Sequence, residues 1–458
     1  MLCTLSFALS DVPSGYLSKP IKRISSTVSP KGDKLKFVGY LPALLLIICC
    51  VALAQTDQKD SRYYETLARK AYQEKNYNSF LANMQMAAEL RVNHPRLMYN
   101  LAAAYALNSK PTEALSLLKR ATDMGLVLPL ATDHDFDSLR NLPQFTAILK
   151  DIENNKAPRI SSIPAFTVHE KGLIPESVAY DEDTDLFYLS SVYKRKILTI
   201  TKTGEAKVFS SEADGLWSVM GMKVDGERRL LWVCTVAHPQ MMNFVTQDKG
   251  KTALLKYDLR TGKLLARFQP ADTTKPHWFG DLSISAAGDV YTTDSVTPAI
   301  YVVRHDGSEL ETVLEGDPFV SPQGLDFTKD QTKLFVADYA KGVFLIDLNS
   351  KTVNSIGANF TLLGIDGLYY YKNSLIAVQN GVNPHRVIKL VLNKEFTHFD
   401  RFETIEANNP AFDEPTLGVL VKDRFYLIAN SQWGAIDDSG HLASEDKLKY
   451  PVVLKIKL

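Results

Sequence analysis

Three kinds of hydrophobic pattern follow one another along the 458 residues. Residues 37–54 form an apolar run without charge, and Lys19, Lys22, Arg23, Lys31, Lys34 and Lys36 lie upstream of it. From Tyr64 onward, apolar and small residues recur at helical spacing, and the pattern returns after 34 residues: Leu67 and Ala68 match Leu101 and Ala102, Met84 matches Leu118, and Ala87 matches Ala121. A period of that length predicts helix hairpins. The alanines let the two helices of a hairpin approach closely, while larger residues fill the space between hairpins. Pro111, tolerated in a first turn, marks a helix start after Lys110. Asn154, Asn155, Lys156, Ala157 and Pro158 read as a linker.

Beyond the linker the period becomes that of strands, and one local pattern returns six times. Each return has a Gly- or Pro-marked approach, a short apolar strand, a turn, and a second strand ending in small or polar residues. The second strands fall at 186–190, 231–235, 290–294, 334–338, 375–379 and 425–429, with starts 45, 59, 44, 41 and 50 residues apart. Third strands follow at 196–200, 253–257, 299–303, 342–346, 387–391 and 451–458. A unit of this length holds one four-stranded sheet, which buries both faces only by stacking in a ring. The expected fold is therefore an all-β six-bladed β-propeller with an N-terminal all-α helical domain, divided as 1–54, 55–156 and 157–458. The chain ends on the third strand of blade six, so residues 163–169 are expected to supply the missing outer strand and close the ring. The 59-residue spacing implies an inserted loop in blade two, at 238–245.

Composition sets limits. At 45% hydrophobic and 23% charged the chain reads as globular, and Lys plus Arg equals Asp plus Glu at 52 each. No global field draws nucleic acid or anionic lipid. Ala52, Leu53 and Ala54 before Gln55 have the small-residue form that a signal peptidase reads. The rival is a retained span, since the run just reaches bilayer length; a membrane contact is expected in that case alone. Either way the basic flank stays inside and residues 55–458 are exported, periplasmic or secreted. Cys234 is the one cysteine downstream of that segment and, within an apolar run, reads as a buried small hydrophobe.

Two resemblances add expectations. The second helical unit, with Met98, Leu101, Ala102, Tyr105, Ala114, Leu118 and Ala121, resembles the tetratricopeptide repeat; the first departs from it, with Ala71 where tyrosine is expected. Such a module implies either a groove for a partner protein or an element that docks on the propeller. The blade approaches around Pro175-Glu176, Gly280-Asp281, Pro322-Gln323-Gly324 and Asp366-Gly367 resemble those of the gluconolactonase and senescence marker protein (regucalcin) family. That resemblance implies a divalent cation, usually calcium, at the channel mouth, with Glu176 and Asp366 as its carboxylate ligands and Gln323 where an asparagine is common. Two positions depart from the pattern: Met220 and Gly280 stand where asparagines are expected. Asp281 or Glu414 and water would complete the shell.

With an ion present, the implied chemistry is Lewis-acid polarisation of a lactone or ester carbonyl, with Asp294 or His238 as base. The alternative is a non-catalytic propeller whose mouth binds a small molecule and whose helices bind another protein. Asp338 reads as a turn cap in the manner of Asp294. The chain lacks a His-Glu-x-x-His zinc pattern, a glycine-rich phosphate loop and a Gly-x-Ser-x-Gly elbow.

Overall fold

The computed structural model describes residues 60–458, so the expected export segment lies outside the described residues. Among the described residues, no helix is long and apolar enough to cross a membrane.

Five α-helices come first: α1 (Ser61–Gln73), α2 (Tyr77–Leu90), α3 (Pro95–Leu107), α4 (Pro111–Asp123) and α5 (Pro143–Lys156). Their starts follow local chemistry. Asp60 and Asn76 cap α1 and α2 by accepting from the backbone N–H groups of Tyr63 and Ser79. A proline opens each of α3, α4 and α5, where its missing N–H costs nothing. Ala68, Ala87, Ala102, Ala114 and Ala121 are buried where the helices meet. Helices thus precede the propeller, while the tetratricopeptide likeness itself is carried by the sequence alone.

The remaining chain folds into six four-stranded antiparallel sheets, arranged as a six-bladed β-propeller. Every expected second and third strand is present, from Leu186–Ser191 in blade one to Arg424–Ile428 and Val452–Lys457 in blade six. The innermost strands are Val178–Asp181, Ser218–Asp225, Phe279–Ile284, Pro322–Phe327, Ile365–Tyr371 and Gly418–Val421. Ser162–Thr167 supplies the outer strand of blade six, antiparallel to Val452–Lys457, with a bulge between Pro164 and Phe166. The ring is therefore closed by pairing the two ends of the propeller segment, which leaves no open edge at the seam.

The helices are docked on blades four and five. One apolar cluster runs from Leu118, Phe145 and Ile152 into Phe335, Leu345 and Ile388, and each such side chain taken from water stabilises the contact by roughly 1.5–3 kcal/mol. Polar bonds fix the register. Fully buried Arg386 donates from Nη1 to Met124 O at 2.6 Å and from Nε to Gln379 Oε1 at 2.7 Å. Val127 N donates to Asn383 O at 2.8 Å, and Asn93 Nδ2 to Ala358 O at 3.1 Å.

Candidate site at the channel mouth

The ring places one expected site residue on or beside each innermost strand. Glu176 precedes that of blade one, Met220 lies in that of blade two, and Asp281, Gln323 and Asp366 in those of blades three, four and five; Glu414 precedes that of blade six. The approach of blade one is held firmly. Ser190 Oγ accepts from the N–H groups of Glu176 and Ser177 at 2.9 and 2.8 Å. From blade six, Thr416 Oγ1 donates to the Glu176 carbonyl at 2.9 Å and Leu417 N at 3.1 Å. The main chain of Glu176 is thereby fastened across the seam.

Glu176 and Asp366 are both buried, at 7% and 9% exposure. Burial, and next to it the negative charge of Asp366, hold the Glu176 carboxyl well above its ordinary range, with Glu414 and Asp281 adding to the effect. Burial, Asp281 and Glu414 push Asp366 up to about 7. Opposing these shifts are neutral donors. Trp433 Nε1 donates to Glu176 Oε2 at 2.8 Å, and Asn380 Nδ2 donates to Asp366 Oδ2 at 2.8 Å. Tyr339 OH in turn donates to Asn380 Oδ1 at 3.0 Å. Glu414 is half-buried, its carboxyl raised by burial and by Asp413, and its Oε2 accepts from Gly434 N at 3.3 Å. A concentration of like charge in a low-dielectric mouth costs free energy unless a proton or a cation neutralises it.

The other expected residues vary. Asp281 is buried, its Oδ1 accepting from Leu282 N while Oδ2 meets no hydrogen-bond partner. Burial raises its carboxyl, and the charge of Lys223 opposes this. Lys223 itself lies with Nζ 4.6 Å from the centre of the Tyr369 ring. Gln323 donates from Nε2 to Ser321 Oγ at 3.1 Å, which directs Oε1 towards blade three. A Cβ on Gly280 would stand 3.2 Å from that Oε1, so the glycine and the longer amide accommodate each other. Met220 is buried in an apolar cluster with Ile174 and Phe279, bordered by Trp278 and Trp433.

His238 lies in the blade-two loop, between Trp278 and Trp433, with ring centres 4.7 and 5.8 Å away. Burial pushes its imidazole down to about 3, and Nε2 has no hydrogen-bond partner, so the ring is neutral and enclosed. The Asp294 oxygens are occupied. Oδ2 pairs with His277 Nδ1 at 2.6 Å, and Oδ1 accepts from the N–H groups of Trp278, Val296 and Thr297. Asp338 has the same setting, accepting from Val320, Ser321 and Ala340. The structure thus brings Asp366, Asp281 and Glu414 within electrostatic reach of Glu176 and sets Asp294 at the end of the second strand of blade three.

No family model matches the chain, and no curated protein does. Solved structures do. A gluconolactonase from Xanthomonas campestris is 14% identical with a TM-score of 0.43, covering 66% of this chain and 99% of that one. A luciferin-regenerating enzyme is 14% identical with a TM-score of 0.44, covering 66% and 96%. An aldose sugar dehydrogenase from Streptomyces coelicolor, bound to PQQ, is 13% identical with a TM-score of 0.43, covering 66% and 100%. At such values these likenesses concern the ring and carry no argument about its chemistry.

Among the described residues, no group of three or more His, Cys, Asp and Glu side chains could hold a metal ion. Glu176, Asp366 and Gln323 Oε1 offer oxygen atoms, the donor type that hard cations such as calcium take. Trp433, Asn380 and Tyr339 are the residues that sequence reasoning missed. Trp433 opens a short 3-10 turn, Trp433–Ala435, and no periodicity marks any of the three; the positions of Tyr339 and Asn380 directly after second strands were the available signal.

Proposed function

We propose that the channel mouth is a hydrolytic site for a lactone or ester, working with a divalent cation held between Glu176 and Asp366, in a protein that is exported. The observation that carries this reading is the buried carboxylate pair. Each member raises the cost of charging the site, and the donors that favour the charged forms, Trp433 and Asn380, are neutral. A divalent cation would relieve that repulsion, and calcium suits the oxygen donors. Bound there, it would supply Lewis-acid polarisation of the carbonyl oxygen.

The chain's own residues divide the remaining work. Trp433 and Asn380 each occupy one oxygen of their carboxylate, which fixes the orientation of the other. Glu414, half-buried and with its carboxyl raised, is suited to accept a proton from attacking water. That role was expected of Asp294 or His238, but the oxygens of Asp294 are already engaged and the imidazole of His238 is enclosed. Met220 and Trp278 pack in the apolar cluster that also borders Trp433.

A second reading, a non-catalytic receptor, draws support from Met220 and Gly280, which remove two amide ligands from the expected set. A panel of lactones and aryl esters, assayed with calcium and then with chelator, separates the two. Turnover that chelation abolishes, calcium restores and Glu414→Gln lowers at least tenfold supports the hydrolase. Cation binding without turnover on any member supports the receptor.

A further inference from the structure

The segment between α4 and α5, together with α5 itself, faces blade five across a groove of about 550 Å³. That volume lies within the ordinary range of small-molecule sites. Val127, Leu128, Leu149 and Ile152 form the apolar part of the helical wall, Glu153 and Lys156 line its end as an ion pair at 2.6 Å, and Val382 and His385 line the blade side. Burial holds the His385 imidazole below its ordinary range, so the blade side of the groove carries no charge near neutrality.

The groove adjoins the mouth through Asn380. Asn380 lines it, and the same side chain donates to Asp366 Oδ2 at 2.8 Å. Gly381 lines it as well, and a Cβ there would stand 2.6 Å from the Tyr339 hydroxyl, which itself donates to Asn380. One amide side chain and one glycine therefore separate the apolar groove from the carboxylate pair. Val127 N already donates to the Asn383 carbonyl, so this backbone pair is closed to an extended peptide.

We propose that this groove takes the alkyl or acyl chain of the substrate, so that the compound handled at Glu176 and Asp366 is a medium-chain lactone or ester rather than a polar sugar lactone. This rests on the hydrolytic reading of the mouth. The helices then have a role beyond docking, since they supply the wall that selects for an apolar chain.

The test uses 2-alkanones of increasing length, which keep a carbonyl and cannot be hydrolysed, titrated calorimetrically into the full-length chain. Affinity should rise about tenfold for every two methylenes added. Ala131→Trp and Thr132→Trp, both at exposed positions lining the groove, should flatten that dependence while leaving the shortest ketone unaffected. No dependence on chain length in the parent overturns the proposal, as does a dependence that both folded tryptophan variants retain. A dimer that either tryptophan dissolves also overturns it, assigning the groove to a second copy of the chain. Turnover of short lactones with no chain-length trend sinks the groove and leaves the hydrolase standing. A clear trend in a protein that hydrolyses nothing sinks the hydrolase and leaves a chain-binding groove.

Discussion

Trp433 Nε1 donates to Glu176 Oε2 at 2.8 Å, joining a loop of blade six to the approach of blade one. With the bonds from Thr416 and Leu417 to the Glu176 carbonyl, blade six holds both the side chain and the main chain of this residue. Closure of the ring and orientation of the carboxylate are therefore one arrangement.

Trp433→Phe keeps most of the ring and removes the donor. Equilibrium unfolding with chelator present should show a loss of about 0.5–1.5 kcal/mol, the usual value of a hydrogen bond between neutral groups. Since the donor favours the carboxylate, its removal raises the Glu176 carboxyl further and should move the pH midpoint of calcium binding upward. A midpoint that stays in place or falls would show that the indole does not act on Glu176.

Asp366 has its carboxyl raised from 3.8 to about 7 by burial and by neighbouring negative charge. A group raised on folding stabilises the fold fully below its unfolded value and loses that contribution as pH climbs through its folded value. With chelator present, the melting temperature of the parent should therefore fall between about pH 4 and pH 7 relative to Asp366→Asn, whose amide does not titrate. Calcium should cancel the difference. Parallel pH curves for parent and variant would contradict this.

Gly280 and Gln323 form a compensating pair, since a Cβ at the glycine would lie 3.2 Å from Gln323 Oε1. Gly280→Asn alone should weaken calcium binding by crowding that amide, and Gln323→Asn in the same chain should recover part of the loss. A double-mutant cycle with no coupling would separate the two positions.

Much of the ring could be read from the chain because a strand buried on both faces repeats its pattern blade after blade. Leu334, Phe335, Val336 and Ala337 are all buried, as their apolar run implies, and the closing strand at Ser162–Thr167 followed from counting strands. The places of Glu176, Asp281 and Asp366 along their blades could be read because each stands at a recurring point of the blade pattern. What could not be read depends on residues distant in sequence: Trp433 reaches Glu176, and Arg386 reaches Met124, through contacts that no local period encodes. The setting of Asp294 was hidden for the same reason, because an aspartate ending a strand looks alike whether its oxygens are open or taken up by His277 and three N–H groups.

Arg386 is the main polar tie between helices and ring. Arg386→Met removes the bonds to Met124 O and Gln379 Oε1 and should cost roughly 1.5–3 kcal/mol in urea unfolding. Arg386→Lys should recover little, because a single ammonium lacks the forked geometry that serves both acceptors. Full recovery by lysine would mean that charge alone matters there.

The account turns on Glu176 and Asp366 acting as one charged pair. Direct calorimetric titration of calcium into chelator-stripped protein tests this, using the parent, Glu176→Gln and Asp366→Asn. The account predicts one bound ion per chain in the parent and binding about a hundredfold weaker or lost in each variant. A parent that binds no ion, or variants that bind as well as the parent, would contradict it.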